Sequence, residues 1–352
     1  MTHDNYEKVL TRYIRVRDLK KYEEDWNSLF DANPDLSPYQ SFRFNTIAQQ
    51  FSPFSPRRIL LEPIFFLFYN SKGVCRLIAP LYKGRGWKKH TVRLFTDGMP
   101  AGYSDFIYPA DLSLEEFGTA IEIINRELKS PTFMFNKINE TSRLNAFLQE
   151  GDFNLKKVDR SLCYQIPLEE SFASYWQGLS KNTRQNIRTS KNKLMRERYT
   201  WELELHQEKG LSRHIQKRIM PIYIKRYFER EGRSLRMVLL ALSKRFLNPI
   251  TWALKTSEHS FCAILNINKK PAAFLAGFAR DNGRLVIPML AIDSDWEKFS
   301  PGGILITELM ERLHELKGYT SLDLSRGGEA YKKRYGGIQH YNFSYEFTLE
   351  DR

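Results

Sequence analysis

Phe299-Ser300-Pro301-Gly302-Gly303-Ile304 is the most informative stretch of this chain. Serine is a favoured N-cap, and proline suits the first helical position because its φ is preset and its missing N–H is not needed there. Two glycines in that turn let backbone amides approach a ligand closely, and the helix dipole favours an anion at the same end. The turn therefore reads as a pyrophosphate cradle (Ser300, Pro301, Gly302, Gly303), or equally as a capped helix whose glycines serve tight packing. Upstream, residues 261–267, 272–279 and 284–291 are strand-like, separated by Asn268-Lys269-Lys270-Pro271 and Asp281-Asn282-Gly283. An antiparallel three-strand meander is predicted to feed the helix, which should run to about Lys317 and stop at Gly318.

Downstream lies Asp323-Leu324-Ser325-Arg326-Gly327-Gly328-Glu329-Ala330-Tyr331-Lys332. It reads as a short strand over 321–324, a Gly-Gly turn and a short helix over about 329–335, with a last strand over 341–348. Asp323 or Glu329 can take a proton from an amine, Tyr331 can give one to a leaving thiolate, and Lys332 or Arg326 can hold a phosphate or carboxylate. The plainer alternative pairs Asp323 with Arg326, packs Tyr331 in the core and leaves Lys332 in solvent. Upstream of the meander, residues 172–198 read as a basic helix with Lys181, Arg184, Arg188 and Lys191 on one face, either gripping phosphates or simply solvated. A second helix over 212–228 is expected to kink at Pro221, and a third spans 234–246. In the first half, residues 58–69 and 74–82 predict a hairpin. Ser113-Leu114-Glu115-Glu116 is a capping box that opens a helix with Phe117, Ile121, Ile124 and Leu128 on one face.

Several of these pieces occur in the order seen in the BioF2-like, CelD/BcsL-type acetyltransferases, a GNAT branch related to FemABX proteins, which this chain resembles over most of its length. The matching residues are Leu179–Arg188, Ser300–Gly303 with the helix after it, and Asp323, Gly327-Gly328-Glu329 and Tyr331-Lys332. In the first half they are 78–82, Asp97-Gly98 and Tyr103-Ser104-Asp105. The resemblance implies an α+β, tandem GNAT-like fold of mixed, mostly antiparallel sheets flanked by helices: a degenerate N-terminal domain over 1–160 and an acetyltransferase domain over 161–352. It further implies acyl transfer, with acetyl-CoA as co-substrate, to an amine such as an amino sugar of polysaccharide or cell-envelope synthesis. Asp323, Glu329 and Tyr331 would then be catalytic. Ser300, Pro301, Gly302, Gly303 and Lys332 would bind the donor, and Arg184, Arg188 and Arg326 the acceptor. The fuller Gln/Arg-x-x-Gly-x-Gly pattern of ordinary GNAT enzymes is missing. Two other classes fit the same fold: an aminoacyl-tRNA-dependent transferase of the FemABX kind and a non-catalytic binding module.

Bulk properties agree with this reading. The 352 residues suit about two domains. The net charge of +13 is uneven: residues 1–160 hold 23 Lys+Arg against 20 Asp+Glu, and residues 161–352 hold 31 against 21. A basic second half suits a phosphate-bearing partner: coenzyme A, a nucleotide-sugar, tRNA or, weakly, an anionic membrane surface. Cys75, Cys163 and Cys262 form no CxxC, and the 7 histidines form no HxH or HExxH, so neither a disulfide framework nor a metal site is expected. The polar first ten residues are unlike a signal peptide, and the apolar runs at 64–69 and 237–242 are too short to span a bilayer, so a cytoplasmic protein is expected.

Overall fold

The computed structural model describes residues 10–51, 60–86, 90–97, 101–129, 131–151, 153–208, 210–231, 249–257 and 259–349. The expected helix over 234–246, the apolar run at 237–242, the first residues of the hairpin and Gly98 lie outside them. The chain forms two compact units, one reaching Leu162 and taking in the C-terminal segment from Tyr341, the other Cys163–His340. A single cut at 160/161 misses that return, because residues 342–347 pair with a strand of the first unit.

In the first unit the strand order is β1 (Leu10–Val16), β2 (Leu61–Asn70), β3 (Cys75–Gly84), β4 (Thr91–Leu94), β5 (Thr132–Asn139) and β12 (Ile338–Thr348). The hairpin is β2–β3, with Gly73 in its turn at φ 77°. The capping box is formed: the Glu116 amide donates to Ser113 Oγ at 3.1 Å, and the Ser113 amide to Glu116 Oε2 at 2.9 Å. It starts a helix (Leu114–Leu128) that buries Phe117, Ile121, Ile124 and Leu128, as the spacing predicts.

The second unit orders its strands β6 (Asn154–Pro167, of which it holds the end from Cys163), β11 (Ser321–Arg326), β10 (Arg284–Ile292), β9 (Lys270–Ala279), β8 (Ser260–Ile267) and β7 (Trp201–Glu208). The meander β8–β9–β10 is antiparallel throughout. Asn268 and Lys269, at φ 49° and 63°, make a tight two-residue turn. The basic stretch is two helices, α1 (Phe172–Gly178) and α2 (Lys181–Arg196), because Leu179 is extended and Ser180 Oγ caps the second by accepting from the Thr183 amide at 3.2 Å. Helix α3 (Arg213–Glu231) runs through Pro221 without a break. Proline removes one intrahelical donor there, and packing against β9 and β10 outweighs that loss. Helix α4 (Pro301–Leu316) follows the meander and sends Ile304, Leu305, Leu309 and Leu313 into the core. Helix α5 (Ala330–Arg334) follows β11.

Two clusters fasten α3. Arg218 donates to both oxygens of Glu204 on β7 at 2.7 and 2.9 Å and to Asn266 on β8 at 2.9 Å. Lys225 donates to Asp293 at 2.5 Å and Asp295 at 2.7 Å. The hydrogen bonds from Arg218 hold the Glu204 carboxyl down from 4.5 to about 2, against the opposing effect of burial. A folded-state pKa below the unfolded one means that stabilisation is complete above about pH 4.5 and is lost as pH falls toward 2. Glu204→Gln is therefore expected to flatten the acid side of the stability–pH curve in this window, measured by denaturant titration from pH 7 down to 2.5; an unchanged slope would show that the pair carries no such linkage.

Candidate functional site

The site begins where two parallel strands part. β10 and β11 pair only at Arg284↔Ser321, Leu285↔Leu322 and Val286↔Asp323. Beyond these residues β10 continues to Ile292 and β11 to Arg326 without further mutual pairing. On its other side β10 shifts register against β9 between Val286 and Met289, around Pro288, which has no N–H for a ladder. Gly277 on β9 allows this close passage, since a Cβ there would collide with the backbone of Val286 and Ile287. On β11, Ser325 takes a left-handed conformation at φ 56° and the register against β6 shifts between Asp323 and Arg326. The strands therefore splay from a common base.

That base is locked by charge. Asp323 is fully buried, and its Oδ2 accepts from Arg284 Nε at 3.1 Å and from Nη2, while Oδ1 accepts from the Ser325 amide at 2.7 Å. Asp323 thus pairs with Arg284, not Arg326, and both oxygens are engaged in structure. It lines none of the three cavities described below.

Helix α4 starts at the open end of the splay. Pro301 holds the first helical position as expected. Ser300 precedes it with φ 50° and ψ 53°, and its side chain caps nothing. The reason is that Ser300 also closes the 3-10 turn Ser294–Phe299, donating its amide to Glu297 O at 2.9 Å. The Gly303 amide is spent on Ser300 O at 3.0 Å. Gly303 serves packing: a Cβ would run into the hydroxyl of Tyr335.

A cavity of about 280 Å³ occupies the angle between the end of β10, the start of α4 and α5. Its wall includes Leu290, Ile292, Ser300, Gly302, Gly303 and Tyr331, so the glycine turn and the tyrosine do meet. Arg226 of α3, Arg334, Tyr335 and Glu297 also line it. Burial raises the Tyr331 hydroxyl well above its ordinary value, with the nearby Glu329 adding to the shift. Tyr335 is raised as well, again mainly by burial. Both phenols are therefore protonated at neutral pH, and they can donate protons.

The other expected residues sit elsewhere. Lys332 is buried and spends its ammonium on Ser325 O at 3.2 Å, Arg326 O at 2.9 Å and Glu329 Oε2 at 3.0 Å. It staples the β11–α5 loop and has no donor left for a phosphate. Glu329 is the half-exposed partner in that staple. Arg326 is exposed and off the cavity walls. Arg184 caps the end of α1, donating to Gln177 O at 2.7 Å and Trp176 O at 3.4 Å, and Arg188 stacks its guanidinium over Trp176 at 5.8 Å. Sequence reasoning missed Arg226, Arg334, Tyr335 and Glu297. The i, i+4 spacing of Tyr331 and Tyr335 was the one legible signal for a shared face.

Residues 181–333 match the family model described as an acetyltransferase (GNAT) domain. A comparison with curated proteins finds no match. FemX has a similar structure over 96% of this chain and 97% of its own, with a TM-score of 0.59 and 8% identity. L-PGS from Bacillus licheniformis is similar over 94% of this chain and 92% of its own, with a TM-score of 0.55 and 11% identity. The C-terminal domain of a putative lysylphosphatidylglycerol synthetase from Agrobacterium fabrum covers the same shares, at a TM-score of 0.55 and 10% identity. At such identities the likeness is one of fold. The fold is the expected α+β, GNAT-like arrangement of mixed sheet flanked by helices, and the residues that match the GNAT domain model lie within the second unit.

The Arg284–Asp323 pair sets the expected behaviour of one variant. Asp323→Asn leaves a largely buried guanidinium without its charge partner and is expected to cost about 3–5 kcal/mol of stability. Denaturant unfolding checks this; full stability would remove the pair from its structural role.

Proposed function

We propose that this chain is an N-acyltransferase that moves an acyl group, acetyl in the first instance, from coenzyme A to an amine. The observation that carries the reading is the splay of β10 from β11, opening beside a glycine-bearing helix start and two guanidiniums. Pantetheine amides are matched by the backbone of β10 beyond Val286, which β11 leaves unpaired. The helix start, with Arg226 and Arg334, offers positive potential to a pyrophosphate. The bound thioester supplies an activated carbonyl and a thiol leaving group.

The residues then divide the work. Backbone N–H groups of β10 stabilise the oxygen that gains charge when the amine nitrogen bonds to the carbonyl carbon. Glu297, the carboxylate on the cavity wall, receives the proton the amine loses, directly or through water. Tyr331 protonates the sulfur as the C–S bond breaks, and solvent reprotonates the phenolate. Asp323 and Glu329 are positioning residues in this scheme: one locks the base of the splay, the other orders the loop before Tyr331. An amino sugar is the acceptor class that the sequence resemblance suggests, and it stands on that resemblance alone.

Thermal-shift titration with acetyl-CoA is the first test, because a ligand that binds only the native state raises its apparent stability, by about 2.7 kcal/mol at a hundredfold excess over Kd. A shift with acetyl-CoA and none with aminoacyl-tRNA supports this reading. The reverse supports a FemX-like donor, and no shift with either supports a binding module. Tyr331→Phe is expected to lower kcat about tenfold or more while leaving the KM for acetyl-CoA unchanged. A folded variant with full kcat would remove the phenol from the chemistry.

A further inference from the structure

Three cavities abut along the second unit. The one at β10, of about 280 Å³, shares Ser300, Gly303, Arg334 and Tyr335 with a neighbour of about 200 Å³. That neighbour shares Thr183, Asn186 and Arg334 with a third, of about 540 Å³. Arg334 lines all three. The character of the wall changes along this groove. At β10 it is partly apolar, with Leu290, Ile292, Ile306 and Tyr331. In the second and third cavities the α2 wall is mostly polar, with Asn182, Thr183, Asn186, Thr189, Ser190 and Lys193 beside the one apolar Ile187, and no carboxylate lines either one.

This wall is not the basic face singled out by the sequence. Lys181, Arg184, Arg188 and Lys191 follow a different stripe of α2, where Lys191 pairs with Glu308 at 2.6 Å and the two arginines serve α1. The cations that line the groove are Lys193, Lys333 and Arg334, and none of them has an ion-pair partner among the described residues. Elsewhere on this unit Lys225, Lys298 and Lys332 each have a carboxylate. A recess with three uncompensated cations, six hydroxyl side chains (Ser180, Thr183, Thr189, Ser190, Ser300, Tyr335) and two side-chain amides suits an anion that also presents hydroxyls and a hydrogen-bonding ring.

We propose that the Asn182–Asn186–Lys193 stripe of α2, with Lys333 and Arg334, seats a phosphorylated nucleoside, the head of the same donor whose acyl end lies at β10. The inference rests on the acyl-CoA reading above and deepens it. Direction along the groove supports the assignment. Tyr331, the proton donor, lines only the β10 cavity; Arg334 lies three residues further along α5, and Gly336 lines only the third cavity. The recess therefore lies at the end of the groove away from the reacting carbonyl, where the donor's head belongs and the acceptor amine does not.

The test uses the full chain and adenosine 3′,5′-bisphosphate as probe, by titration calorimetry. Asn186 and Lys193 are exposed, so Asn186→Leu and Lys193→Met are expected to fold, which circular dichroism verifies. Each variant is expected to bind the bisphosphate about tenfold more weakly or worse, the loss typical of one charge-assisted contact. The KM for acetyl-CoA should rise in both. Unaltered bisphosphate affinity in both folded variants overturns the proposal. So does a rise in the KM of the amine in place of the donor's, which would make the recess an acceptor site. If wild type binds acetyl-CoA and the variants bind it equally well, this inference alone falls. If wild type binds neither acetyl-CoA nor the bisphosphate, the acyl-CoA reading falls with it.

Discussion

The buried contact between Arg284 and Asp323 is the constraint on which the second unit's geometry turns. It spans the short paired stretch of two parallel strands that then diverge, from Arg284 in the first pair to Asp323 in the last. A β-ladder that could pair further would normally do so, because unpaired backbone groups are costly to bury. Here Pro288 and the left-handed Ser325 interrupt regular pairing just beyond the contact, and the ion pair holds the strands together up to that point. The result is a wedge with a fixed apex. Its apolar flank and unpaired backbone come from the strands themselves, so no separate loop has to build the site.

The remaining parts are held against this wedge by contacts outside it. Helix α3 crosses β9 and β10 and is fastened near its start to β7 and β8 by Arg218, and further along to the turn before α4 by Lys225. Arg226 follows Lys225 directly and lines the cavity. The Lys332 staple does comparable work for the loop between β11 and α5, fixing the first turn that carries Tyr331. Arg218, Lys225 and Lys332, each paired with a carboxylate, thus support the site from behind, whereas Lys193, Lys333 and Arg334, which have no ion-pair partner among the described residues, face the groove.

Much of the fold was legible because local chemistry and tertiary packing agree. The two-residue turn at Asn268–Lys269, the capping box at Ser113–Glu116 and the Pro301 helix start each express a backbone preference that the structure uses. Strand β7 passed unread although Trp201, Leu203 and Leu205 alternate with Glu202, Glu204 and His206, the period-two signal of an edge strand. The site was less legible, for physical reasons. Lys332 and Asp323 look like chemistry in one dimension, since nothing in a sequence shows that their hydrogen-bonding capacity is consumed by Ser325, Arg326, Glu329 and Arg284. Arg226 reaches the cavity from a position 64 residues before Leu290 and 77 before Gly303, and only the crossing of α3 over β10 brings it there. The Asn182–Asn186 stripe of α2 is hard to see in one dimension because Lys181, Arg184, Arg188 and Lys191 beside it carry the charge that draws the eye, and nothing in the sequence shows that Arg184 and Arg188 contact α1.

The central claim is that the wedge between β10 and β11 receives an acyl-CoA. Hydrogen–deuterium exchange with and without acetyl-CoA measures it most directly, since amides that pair with a ligand or lie under it exchange more slowly. The account predicts added protection concentrated in residues 287–292 of β10 and at Gly302 at the start of α4. Saturating acetyl-CoA that leaves those amides unchanged, or that protects residues of the first unit alone, would contradict it.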